Sequence, residues 1–107
     1  MALDHFHERR GPIEAKMGQV AGVIGVSMWH LAHANEEFAL YLEAALALGD
    51  VALLDADITS VERRLAHEGL PAGMLGRYLR AYCQVAEEQL DERGAPILAW
   101  LRRVTSS

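Results

Sequence analysis

The chain has 107 residues, a formal net charge of −5 and an apolar share of 51%. That length fits one domain with a real core. The acidic balance gives no electrostatic footprint for a nucleic-acid partner, and the single cysteine, Cys83, excludes an intrachain disulfide and any Cys/His zinc spacing.

Residues 1–11 are charged and lack an apolar h-region, so no signal peptide is expected there. They read as a flexible arm, with Gly11 and Pro12 marking the start of a helix. The domain is then expected over 12–104, with 105–107 as a polar tail.

From Pro12 the first predicted helix runs to about residue 48. Ile13, Met17, Val20, Ile24, Met28, Leu31, Phe38, Leu42 and Ala45 recur at steps of three and four, and Ala34 or Asn35 fills the one gap. Residues 17–31 carry no acidic or basic charge, and around Ile24 the helix is apolar on every side. Such a segment must be wrapped by other helices or by a second copy of the chain. Gly18, Gly22 and Gly25 oppose it locally, each by about 1 kcal/mol relative to Ala. A kink is expected near Asn35, where the apolar half gives way to Asn35-Glu36-Glu37. Gly49 suits the left-handed position that ends a helix, and Asp50 suits the cap of the next.

A second helix is predicted over 52–67, with Leu53, Leu54, Ile58, Val61 and Leu65 inward, stopped by Glu68-Gly69-Leu70-Pro71. The third covers 72–90 on the stripe Met74, Leu75, Tyr78, Leu79, Tyr82, Val85, Ala86. The fourth, over 96–104, turns Ile97, Leu98, Trp100 and Leu101 inward. The fold expected is therefore all-α, a small bundle of about four helices with one long N-terminal helix. No span reaches the roughly 20 apolar residues a bilayer needs, and the expected setting is a reducing cytoplasm.

No catalytic signature is present, so an enzyme is not the favoured reading. The sharpest chemistry lies on the first helix. At 100° per residue His30, His33 and Glu37 fall within about 60° of one another, flanked by Val23, Val26 and Tyr41. Imidazoles at i and i+3 can share a metal, here with Glu37 as third ligand, and an imidazole among apolar neighbours can ligate a haem or a cobalamin. Trp29, Tyr41 and Met28 would line such a pocket beside His30 and His33. The same histidines also fit a partly buried helix contact with no ligand. Gly18, Gly22, Gly25 and Trp29 share another side, and small residues at this spacing let two helices approach closely. That side is the expected homodimer seam. Asp55, Asp57 and Arg64 read as a solvated face, and Cys83 as a small buried hydrophobe.

The run Tyr41-Leu42-Glu43-Ala44-Ala45-Leu46-Ala47-Leu48-Gly49-Asp50, then Ala52-Leu53, then Glu68-Gly69-Leu70-Pro71, resembles the helical module that precedes B12-binding domains in bacterial regulatory and sensory proteins. The likeness covers about residues 38–101. It departs from the family at Val51, where a proline is usual, at Leu54, Asp57 and Ser60, where aromatics are usual, and at Phe38, where histidine is frequent. The DxHxxG cobalamin motif is absent. The resemblance implies a sensory or regulatory helical bundle, often next to a cobalamin- or other tetrapyrrole-binding domain. Together with the missing catalytic motifs and the all-round apolar helix, the expected function is a non-enzymatic regulatory, sensory or protein-interaction module acting as a homo-oligomer or with a protein partner. The alternative is a haem-, cobalamin- or metal-binding bundle that uses His30 and His33 itself.

Overall fold

The computed structural model describes residues 2–25, 27–70 and 73–106, and for Val23 and Ile24 the backbone alone. Among the described residues there are five α-helices, one 3-10 turn and no strand. The helices are α1 (Ala2–Ile24), α2 (Met28–Leu48), α3 (Leu53–His67), α4 (Met74–Gln89) and α5 (Ala95–Thr105), the last preceded by the turn Glu92–Gly94. The side chain of Ile24, on which the expectation of an all-round apolar helix centred, lies outside the described residues. So do those of Val23 and Val26, and Pro71 of the second stop.

The all-α class holds, but the N-terminal half is arranged differently from the expectation. Residues 2–11 are the first turns of α1 rather than an arm, and the helix continues through Pro12. Proline removes one backbone hydrogen bond and strains the preceding turn, at about 3 kcal/mol in a helix interior. Burial on both sides of it outweighs that cost. Phe6, Ile13 and Met17 are fully buried and Ala21 nearly so, while Pro12 itself faces outward. Phe6 precedes Ile13 by seven residues, two helical turns, so the stripe was already in phase upstream of the proline. Buried His5 ties the start of α1 to the turn that follows α4, its Nε2 accepting the Asp91 amide at 3.2 Å.

The single long helix predicted over 12–48 is two helices, and the break falls at Gly25 rather than near Asn35. Gly25 has φ +74°, a conformation that L side chains rarely adopt. Ser27 then caps α2, its Oγ accepting the His30 amide at 3.2 Å. The chain reverses, and α2 returns antiparallel along α1, so that Arg10 Nη1 reaches Glu43 Oε1 at 3.3 Å. Asn35 sits inside an unbroken α2, buried, its Oδ1 accepting the Tyr78 hydroxyl at 2.7 Å.

The later helix ends follow the sequence signals. At Gly49 (φ 68°) the amides of Gly49 and Asp50 bond back to Leu46 and Ala45, and Asp50 Oδ1 accepts the Ala52 amide at 3.0 Å. The amides of Gly69 and Leu70 close α3 in the same way on Ala66 and Leu65. At the other terminus Thr105, expected in the tail, is the last residue of α5.

Packing sets α1 between α2 and α4, with α5 antiparallel on α4. Phe38 of α2 meets Tyr82 of α4 edge-on, with centroids 4.7 Å apart, and lies 6.1 Å from Trp100 of α5. The third helix is held differently. Its N-terminal end is pinned to α5 by Asp55, which accepts Trp100 Nε1 at 3.0 Å and Arg103 Nη2 at 3.0 Å. Leu54 beneath it is fully buried, whereas Leu53, expected inward, is 39% exposed.

Two outcomes follow from this packing. Phe6→Ala should lower the unfolding free energy by about 3–5 kcal/mol, the range for emptying a buried aromatic site; urea titration checks it, and a freely moving arm would give almost no change. The Asp55 carboxyl is held below its ordinary value of 3.8 by the Trp100 indole and then by Arg103. A depressed folded-state pKa stabilises above the unfolded value and loses that contribution as pH falls through the folded one. Asp55→Asn should therefore show a smaller fall in Tm than the parent chain as pH drops below about 5 through the unfolded value and on through the folded one, while above about pH 5 the two curves run parallel.

Candidate functional site

Because α3 is pinned at its N-terminal end and lies along α2, its C-terminal half stands away from α4. The gap is a cleft of about 410 Å³ between α2, α3 and α4. Its floor is Phe38, Val61, Tyr78 and Leu79, and its walls include Ile58, Leu65, Leu70, Met74 and Leu75. Trp29, His30, His33, Glu36, Glu37 and Tyr41 of α2 form one lip, with Arg64 of α3 and the Glu68 that follows it opposite. Five residues singled out in the sequence, Trp29, His30, His33, Glu37 and Tyr41, thus meet at one opening.

The cap of α2 organises this lip. Ser27 Oγ lies 2.8 Å from His30 Nδ1 as well as accepting the His30 amide, which leaves Nε2 as the ring atom open to a ligand. Trp29, 67% exposed, places its indole edge-on to His30 with centroids 4.9 Å apart, and tilted against His33 at 4.3 Å. Glu37 pairs with Arg64 and links α2 to α3 across the cleft. The Tyr41 phenol is pushed up by burial and then by the nearby Glu37 carboxylate, with Arg64 pulling the other way, so it is neutral at physiological pH.

Three parts of the expected site are not assembled. The metal set His30, His33 and Glu37 is not brought together, and among the described residues no group of three or more His, Cys, Asp or Glu side chains forms a metal cluster. His30 and Glu37 are seven residues apart, roughly 10 Å along one helix axis, and Arg64 already claims Glu37. Met28 points away from the cleft to the α1 side, its Cε 3.7 Å from where a Cβ on Gly18 would stand. The dimer seam is also divided. Gly18 and Gly22 are on α1, Gly25 is in the break, and Trp29 is on the cleft lip of α2.

Arg64 and Asp55 were expected on a solvated face, yet each bonds to another helix. The Asn35–Tyr78 pair beneath the cleft was not anticipated as a pair, since nothing in local spacing links residues 43 apart. Cys83 is buried, its thiol 3.3 Å from Glu87 Oε1. Burial and then Glu87 raise its pKa, which disfavours the thiolate.

No protein-family model, curated protein or solved structure gives a significant match to the chain. Among the described residues no helix is long and apolar enough to cross a membrane.

The buried pair under the cleft makes a clear prediction. Tyr78→Phe leaves the Asn35 amide oxygen buried without its donor and should cost about 1–3 kcal/mol. Adding Asn35→Leu should recover part of that loss, because removing both polar partners is milder than removing one. Denaturant unfolding of the two single variants and the double variant measures it.

Proposed function

We propose that this chain is a non-enzymatic sensory module that binds an apolar, ring-containing small molecule in the cleft between α2, α3 and α4. The cleft itself carries the reading. Its volume falls within the 300–1,000 Å³ range usual for ligand sites, and an apolar floor with a few polar groups at the lip is the usual composition of such a site. The likeness of residues 38–101 to the helical module of B12-associated regulators supports a sensory role. So does the attachment of α3, which is pinned at one end by Asp55 and bridged across the cleft by Arg64 and Glu37. A ligand that spreads the cleft would shift α3 against the rest of the bundle, giving a signal a partner can read.

Assembly as a homodimer belongs to the same proposal. Leu48 and Leu53, at the turn between α2 and α3 and outside the cleft, are 72 and 39% exposed, an apolar load that a second copy would cover. A tetrapyrrole is the second reading of the ligand. What favours it is the Ser27 contact that fixes His30 Nδ1 and leaves Nε2 open, as in many metal-bound histidines.

The neutral fluorophore N-phenyl-1-naphthylamine tests the cleft. Its emission should rise on binding, and Leu75→Trp or Ile58→Trp, each filling the cleft from a different helix, should weaken binding about tenfold or more by occupying the space. Unchanged binding in both variants, with helical circular dichroism intact, overturns the proposal. Haemin titrated into the full chain should give a Soret band reduced by His30→Ala or His33→Ala if the ligand is a tetrapyrrole. No band rejects that second reading. Light scattering that finds a monomer at micromolar concentration rejects the dimer.

A further inference from the structure

Resting on the cleft as a ligand site, a narrower inference concerns the charge of what enters it. The charged groups around the opening are unevenly matched. Among the described residues Arg64 is the one permanently cationic side chain lining the cleft, and it is committed to Glu37 and faces Tyr41. Glu36 and Glu68 stand on opposite sides of the opening, both exposed, and neither has an ion-pair partner among the described residues. An entering molecule therefore meets two uncompensated carboxylates at the mouth and aliphatic and aromatic surface below.

Aromatic rings at the same mouth reinforce that preference. Trp29 is largely open to solvent, and Tyr41 lies about three turns further along α2, beside Arg64. Indole and phenol faces attract cations through their ring quadrupoles, most strongly for tryptophan. An anion would gain nothing from either ring and would be repelled by both carboxylates, since Arg64 is already engaged. The carboxylate side chains of a porphyrin would face the same repulsion. The overall charge of −5 adds a long-range term of the same sign.

We propose that the cleft selects lipophilic cations, with an apolar ring system held between α3 and α4 and a positive ammonium or delocalised charge at the mouth formed by Trp29, Glu36 and Glu68. Selection here is a difference of affinities. The rings supply the binding, and the mouth supplies the discrimination.

Three naphthalene probes of matched ring system separate the two claims: 1-naphthylmethyl-trimethylammonium, 1-naphthalenemethanol and 1-naphthalenesulfonate, each titrated calorimetrically into the full chain. The cation should bind about tenfold or more tighter than the anion at low ionic strength, with the ratio shrinking at about 0.5 M salt as exposed charges are screened. The double variant E36Q/E68Q should bring the cation close to the neutral alcohol and leave the alcohol unchanged, and Trp29→Leu should weaken the cation more than the alcohol. Equal affinities for the three probes overturn the charge selection while the cleft stands as a ligand site. Binding of none of them overturns both. An increase in oligomer mass that closes the cleft to every probe assigns its occupant as a second copy and equally overturns the inference.

Discussion

The structure depends on one buried face, the row of Phe6, Ile13, Met17 and Ala21 that α1 inserts between α2 and α4. Burying these side chains offsets a proline inside the helix and the weak helical preference of its glycines. It also fixes where the chain must turn. An apolar row this long can be covered within one chain only if the following helix folds back over it, and Gly25 is the residue that can take the required backbone. Once α2 returns antiparallel, Phe38 is delivered to Tyr82 and Trp100, and the aromatic centre of the bundle closes.

The cleft is a by-product of how the remaining helix is anchored. Four helices share the aromatic centre or the α1 row, but α3 is held by its edges, through Leu54 and Asp55 at one end and Arg64 at the other. A helix pinned in this way cannot fill the space toward α4. The apolar residues that would have met across a closed interface, Ile58, Leu65, Met74 and Leu75 among them, are only half-buried and line an opening instead. Local stability is lowest where few apolar contacts hold an element, which is also where binding and movement are most easily built.

Much of the fold was legible in the residues. The stripes of α4 and α5 predicted most of the buried side chains, Met74 and Leu75 at the cleft excepted, because both helices are amphipathic, so period and burial coincide. The stops at Gly49 and Gly69 were equally legible, since each needs only local backbone bonds. The N-terminal half was harder. Pro12 is a strong helix-start signal when read alone, and only the phase of Phe6 with Ile13 argued past it. The three glycines announced a weak point, but the change to charged residues at Asn35 drew attention to the wrong place. A composition change along a helix alters which side is wet, whereas a left-handed glycine followed by a serine cap ends the helix.

The sequence by itself determined the helical class, the stops at Gly49 and Gly69, and the clustering of His30, His33, Glu37 and Tyr41 on one face, because each depends on residues within a few turns of one another. Tertiary structure alone decided that this face opens onto a cleft, that Glu37 is spent on Arg64 and no metal set forms, and that Met28 leaves the group. Those outcomes depend on where α3 and α4 come to rest against α2. That placement is settled by contacts between residues tens of positions apart, such as Asn35 with Tyr78 and Asp55 with Trp100, and no periodicity along the chain encodes them.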